Sequence, residues 1–190
     1  MSPTVRKNDL DYYANHTGNG PSMTWSMFAV GYIEIGDMEQ ATAFFNKSWL
    51  PYVDENTGDF GGDCGGNFLT GAGGFLQGLW AGWAGMRLRE DSLDFITPRV
   101  PATTTGLKLR GLSYLGTRFD LVLSGTPGDK KNKACFRSWA ATTSADEAGV
   151  GGDVGLLKIG ALDSTTFAPL SATAETCFAE GTSVRIIGGK

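Results

Sequence analysis

The chain has 190 residues, of which 41% are hydrophobic and 19% charged, and its formal net charge is −4. That length suits one large domain or two small ones, and that apolar content excludes disorder of the whole chain. No basic cluster stands out, so the electrostatic footprint of a nucleic-acid-binding protein is missing. Glycine is the outlier at 28 residues, and without a collagen period it indicates many turns and close backbone contacts.

The stretch Met1 to Lys7 lacks the apolar run of a signal peptide. Asn15 and Asn46 sit in N-x-S/T sequons, which matter only in a secreted protein. The first predicted helix runs from about Ser22 to Ile35. Pro21 and Ser22 suit its start, and Met23, Met27, Val30 and Ile33 recur near helical spacing. Gly36 suits a C-terminal cap and Asp37 an N-cap for the next helix, with Gln40 three residues on. That second helix ends before Pro51, and the short link predicts an antiparallel helix pair.

Residues 51–70 read as a loop of a length that is uncommon in compact domains unless it is functional. A third helix is predicted from about Gly71 to Arg89, with Thr70 as its cap. Glycine in a helix interior costs up to about 1 kcal/mol relative to alanine. Gly78, Gly82 and Gly85 fall on one face at helical spacing, which predicts close approach of another backbone. Leu76, Leu79, Trp80 and Trp83 cover much of the rest. A helix that is apolar nearly all round is a buried helix. Two other helices do not suffice to bury it, so a larger helical body is expected around it. Six glycines and Gln77 interrupt the run, which argues against a membrane span.

Composition shifts near residue 92. Residues 1–91 hold the helical patterns and four of the five tryptophans, and 92–190 alternate like an antiparallel β-domain. LKLRGL (107–112), RFDLVLSG (118–125), GLLKIGAL (155–162) and SVRIIG (183–188) are predicted strands, and the length of this half suits a small β-sandwich. Residues 126–153 read as long loops. The three cysteines, Cys64, Cys135 and Cys177, make no metal pattern. Three free thiols are the expectation, with a Cys135–Cys177 bridge as the alternative.

The chain has one histidine, His16, no G-x-S-x-G serine and no H-E-x-x-H pair. The informative segment is the loop 51–70. It concentrates Asp54, Glu55, Asp59 and Asp63 among Tyr52, Phe60 and Phe68. Carboxylates beside aromatic rings suit sugar chemistry, since rings stack on apolar sugar faces while carboxylates bind hydroxyls or move protons. The same residues also fit a solvated acidic loop or a Ca²⁺ loop.

Three ordered runs carry a resemblance: Gly20-Pro-Ser-Met-Thr-Trp-Ser-Met-Phe-Ala-Val-Gly, then Asp54-Glu-Asn, then Asn67-Phe-Leu-Thr-Gly-Ala-Gly-Gly-Phe-Leu-Gln. Together they resemble the C-terminal region of family 65 glycoside hydrolases, most closely the acid trehalase-like branch. The resemblance covers about residues 9–90, continues into LKLRGLSYLG (107–116), and stops near residue 124. It implies the last helices of an (α/α)6 toroid over residues 1–91, followed by a small antiparallel β-sandwich over 92–190. It also implies an inverting reaction in which one carboxylic acid protonates the leaving oxygen and a second carboxylate activates water.

By motif position the second carboxylate is Glu55. Asp54 and Asp59 are its substitutes, because the loop to Asn67 is longer than usual and carries an inserted GGDCGG. Asp54, His16 and Trp25 are the candidate substrate contacts, although a tryptophan in such a helix is first of all a core residue. The general acid lies earlier in the family's chain, so a partner chain carrying the N-terminal part of the toroid is expected. An α-glucoside is the expected carbohydrate substrate, with no cofactor, metal, nucleic acid or membrane involved. The alternative is a non-catalytic structural or carbohydrate-binding protein derived from such an enzyme.

Overall fold

The computed structural model describes residues 1–18, 22–61, 67–102, 104–125, 132–139 and 157–189. They divide into two compact units, Met1–Trp83 and Ala84–Lys190. Asp63, Cys64, the start of the first motif and most of 126–156 lie outside the described residues.

The helical unit opens with an element that the sequence reading did not contain, α1 (Pro3–His16). Its start is well specified: the Ser2 hydroxyl accepts the Val5 N–H at 3.3 Å, and Pro3 occupies the first turn. Lys7 and Asp11 pair at 2.9 Å one turn apart. None of its residues is fully buried, so it has no apolar stripe to announce it. It docks instead by single contacts on α2 (Ser22–Ile35). The Tyr32 hydroxyl donates to Asp11 at 3.0 Å, and Leu10 occupies the space a side chain at Gly31 would need, with Cδ2 2.6 Å from an ideal Cβ. Burial, and then the nearby Asp11 carboxylate, push the Tyr32 phenol up to about 12.

The bounds of α2 match the periodicity, and so does the turn that follows. Gly36 takes φ +83°, and the Asp37 carboxylate accepts the Gln40 N–H at 3.2 Å to start α3 (Met38–Trp49). Aromatic rings join the two helices: Tyr32 and Phe44 stack with centroids 5.4 Å apart, and Trp25 lies 5.9 Å from Phe44.

The third predicted helix differs in shape and length. It begins at Leu69, with Phe68 rather than Thr70 at the cap position. After α4 (Leu69–Gln77) the chain widens into a π-helix over Gly78–Trp83, and it ends there instead of at Arg89. Glycine explains both changes. Gly78 lies against Phe45 and Gly82 against Ile33, with ideal Cβ positions 3.2 and 3.0 Å from those side chains. The nearest neighbours on this face are side chains, and at Gly82 the backbone of α2 also comes close, with Val30 Cα 3.8 Å from the ideal Cβ. Gly85 is not on the face at all: it takes φ +66°, and the Ile96 carbonyl fills the space where its side chain would be. No described helix is long and apolar enough to cross a membrane.

The second unit starts with the hairpin of β1 (Met86–Leu88) and β2 (Ser92–Phe95), paired Met86↔Phe95 through Leu88↔Leu93. The hairpin spans the composition change at residue 92, so the units part eight residues earlier. The further strands are β3 (Gly106–Tyr114), β4 (Thr117–Ser124), β5 (Lys133–Ser138), β6 (Lys158–Ala161), β7 (Ala168–Pro169), β8 (Thr176–Ala179) and β9 (Val184–Ile187). They form two antiparallel sheets with orders β1-β2-β9-β6-β7 and β3-β4-β5-β8. Strand β5 falls inside the stretch predicted as loop. Phe95 of one sheet lies 5.0 Å from Phe136 of the other, and Phe95, Phe119, Leu121, Phe136, Ile159 and Ile186 belong to one buried cluster.

Within the first sheet, Asp94 and Arg185 are register partners and meet in a bidentate pair at 2.8 and 2.9 Å. Asp94 is 2% exposed and also accepts the Ser92 hydroxyl. Arg185 holds its carboxyl below the usual carboxylate range.

The expectation of three free thiols is overturned. Cys135 and Cys177 are cross-strand neighbours of β5 and β8 and form a disulfide. Their spacing of 42 residues gave no local hint of this, because the strand register brings the pair together.

Candidate functional site

The loop after α3 is organised by a short hairpin. Val53 bridges Phe60 and Gly61 bridges Asn67, both antiparallel. The tip is a tight turn. The Asp54 N–H donates to the Asp59 carbonyl at 3.0 Å and the Gly58 N–H to the Asp54 carbonyl at 2.8 Å, with Gly58 at φ +73°. Asp54 Oδ1 accepts the backbone N–H groups of Asn56 at 2.8 Å and Thr57 at 3.0 Å, as an aspartate does when it builds a turn. Those two N–H groups hold its carboxyl below the usual range.

Glu55 stands at the exposed apex of this turn, and no hydrogen bond or ion pair reaches its carboxylate among the described residues. Its backbone is fixed by its neighbours in the turn. The hairpin is in turn anchored by rings. Tyr52 stacks on Phe60 with centroids 6.2 Å apart, Phe60 lies 6.3 Å from Phe75 of α4, and Phe75 lies 5.4 Å from Phe45 of α3. This relay was only half legible, since the loop aromatics were visible in the sequence but their continuation into α4 was not.

The other candidates are placed differently. Asp54 commits Oδ1 to the turn. His16 is exposed at the end of α1, where its ring stacks on Tyr12 at 4.2 Å and Nδ1 lies 2.7 Å from the Tyr12 carbonyl. Trp25 is 2% exposed, with the Lys47 ammonium 3.6 Å above its ring. It presents no open face to a sugar. Trp25 therefore belongs to the core of the helical unit, for the reason its helical spacing already gave. Asp59 lies at the exposed base of the turn, with its N–H donating to the Thr57 hydroxyl at 3.2 Å.

A groove of about 850 Å³ runs along the helical unit. Thr24, Met27 and Phe28 from the first motif line it, together with Thr70, Gly73, Gly74 and Gln77 from the third. Two motif runs more than 30 residues apart in sequence thus meet along one surface. Beside it α4 and the π-helix leave Leu69, Leu76 and Trp80 exposed, at 79%, 55% and 37%.

Comparison with known proteins bears out the resemblance to family 65 glycoside hydrolases over part of the chain. Protein-glucosylgalactosylhydroxylysine glucosidase of Dictyostelium discoideum is 42% identical over 127 residues, covering 64% of this chain and 17% of that protein. The zebrafish (Danio rerio) protein of the same name is 38% identical over 129 residues, covering 65% of this chain and 19% of that protein. Acid trehalase of Emericella nidulans is 32% identical over 122 residues, covering 57% and 12%. Among solved structures, a putative kojibiose phosphorylase from human microbiome superposes with a TM-score of 0.60 at 13% identity, covering 98% of this chain and 21% of that one. No family model matches the chain. The chain spans about a fifth or less of the length of these relatives. Helices followed by antiparallel sheets fit the C-terminal, β-rich region of such an enzyme.

Proposed function

We propose that this chain is the C-terminal portion of an inverting α-glucoside hydrolase and that Glu55 is its general base. The observation that carries this reading is the turn at Asp54–Asp59, which fixes the backbone of Glu55 and leaves its carboxylate unpaired among the described residues at an exposed apex. A base needs such a carboxylate within reach of a water and not engaged elsewhere. In the reaction, the Glu55 carboxylate takes a proton from water as the water oxygen attacks the anomeric carbon. A carboxylic acid on the opposite face, about 6.5–9.5 Å from Glu55, gives its proton to the leaving oxygen, and the configuration inverts.

That acid belongs to a part of the enzyme outside these residues. The reading takes the helical unit, Met1–Trp83, as the last turns of an (α/α)6 toroid, with the earlier helices covering the groove along Thr24, Phe28 and Gly74 and the exposed stripe Leu69, Leu76 and Trp80. The second unit, from Ala84 on, is the β-sandwich that follows. The relatives named as glucosidase and trehalase support a glucoside as substrate.

Glu55→Gln in the assembled enzyme lowers kcat by about 10²–10⁴-fold, the usual contribution of a general base, with an unchanged melting temperature. Hydrolysis within about twofold of the parent by that variant would exclude Glu55 as the base. The first product seen by NMR from an α-glucoside should be the β-anomer.

A non-catalytic carbohydrate-binding protein is the second reading. The observation that favours it is a polar groove around a half-exposed tryptophan in the β-sheet unit.

A further inference from the structure

The outer face of the four-stranded sheet carries a groove of about 380 Å³, within the size range of small-ligand sites. Lys108 and Arg110 of β3, Asp120 of β4, Arg137 of β5, Trp139 just beyond it and Glu175 just before β8 line it. Trp139 is 41% exposed, yet it is held in place. Its indole N–H donates to Asp120 Oδ1 at 2.8 Å. Its ring edge lies beside the bulge at Gly111, where an ideal Cβ would stand 3.6 Å from Cζ2. The Arg118 guanidinium sits 5.9 Å from the ring centroid. The Gly111 N–H donates to the same Asp120 oxygen at 2.9 Å, so one carboxylate fixes both the bulge and the indole.

Around this fixed ring stand polar groups with capacity to spare. Arg110 and Glu175 make no hydrogen bond or ion pair among the described residues. Arg137 donates from Nε to the Ala172 carbonyl at 3.0 Å, which leaves its terminal nitrogens unengaged among the described residues. Lys108 pairs with Asp120 at 3.6 Å. The Cys135–Cys177 bond ties the strand that bears Arg137 to the strand that follows Glu175, so the spacing of these two groups is set covalently.

We propose that this groove is a saccharide-binding site, with Trp139 as the platform for a sugar face and Arg110, Arg137 and Glu175 as partners for its hydroxyls. A flat indole accepts the apolar face of a pyranose. A guanidinium and a carboxylate can each engage two hydroxyls in a planar, charge-assisted arrangement. Three cations against two carboxylates leave the groove nearly balanced in charge, which suits a neutral ligand better than a polyanion. The ligand class rests on the glycoside reading above.

The test is NMR titration of the 190-residue chain with kojibiose, following the indole N–H resonances. The Trp139 signal is assigned by its loss in Trp139→Phe. A saturable shift of that signal is the expected result. Arg110→Ala and Glu175→Gln, both at exposed positions, should each weaken binding about tenfold, the loss expected for one charge-assisted hydrogen bond, at unchanged melting temperature. An unmoved Trp139 signal, a shift that glycerol reproduces at equal concentration, or parental affinity in both variants would overturn the proposal. The titration needs neither Glu55 nor any other part of the enzyme, so Glu55→Gln should bind as the parent does. A silent Trp139 with a dead Glu55→Gln enzyme refutes the groove alone, and a responsive Trp139 with an active Glu55→Gln enzyme refutes the base alone.

Discussion

Asp54 and Glu55 are adjacent in sequence and chemically alike, but the fold gives them opposite tasks. Asp54 spends one oxygen on the Asn56 and Thr57 N–H groups, and Glu55 spends none among the described residues. Asp54→Ala therefore removes the turn's acceptor. In the assembled enzyme it should lower kcat by up to about a hundredfold through misplacement of Glu55, and amide exchange at Asn56 and Thr57 should speed up. Asp54→Asn keeps an acceptor oxygen and should lose much less on both measures. The sign of the pH effect follows from the lowered carboxyl of Asp54. The unfolded group titrates near about 3.9, so its stabilisation of the turn is complete above that pH. It is lost as pH falls through the lower folded value, and amide exchange followed downward from pH 5 reads this directly. The motif Asp54-Glu-Asn was legible as a carboxylate cluster, but the division of labour was not. That division depends on the Val53↔Phe60 bridge, which closes across residues with no periodic pattern.

Elements were legible in proportion to how much of their stability is written locally. The pair α2 and α3 combines apolar periodicity with a Gly36 stop and an Asp37 cap, and both signals agree with the structure. Helix α1 has a cap and a proline but no fully buried residue, so its sequence carries no apolar stripe at helical spacing. Strand β5, KACFRS, has no β-branched residue and gains its place from β4 and β8 on either side. The π-helix at Gly78–Trp83 depends on Phe45 and Ile33 pressing into glycines from other helices, which no local window contains. Long-range pairing also sets the strength of the first sheet, where Asp94 of β2 meets Arg185 of β9. Asp94→Ala leaves a guanidinium without its carboxylate and the Ser92 hydroxyl without an acceptor. A loss of about 3 kcal/mol is expected by denaturant titration. Arg185→Lys, which cannot form the fork, should lose part of that.

At the scale of the whole molecule, the sequence made its strongest structural statement through a surplus: more apolar helix surface than three helices could hide. The structure gives that surplus an address, since Leu69, Leu76 and Trp80 stand on one stripe of α4 and the π-helix next to a groove that the first and third motif runs line. Under the reading proposed above, this stripe is an internal surface of the full toroid. The 190-residue chain produced by itself should then bind a hydrophobic dye or self-associate on a sizing column. Leu69→Lys together with Leu76→Lys should return it to monomer size with little change in helix content by circular dichroism. A parent chain that runs as a dye-silent monomer would argue against a toroid partner on this face.

The bridge between Cys135 and Cys177 bears on how this chain would be cut. It closes a loop of the backbone around everything between β5 and β8. A protease that nicks the chain once inside that loop separates nothing: the two pieces stay joined and migrate together until a reductant is added. A nick between the two compact units, by contrast, leaves no covalent tie among the described residues. Limited digestion run with and without dithiothreitol therefore sorts cleavage sites into those inside the sulfur-closed loop and those outside it, without sequencing a single fragment.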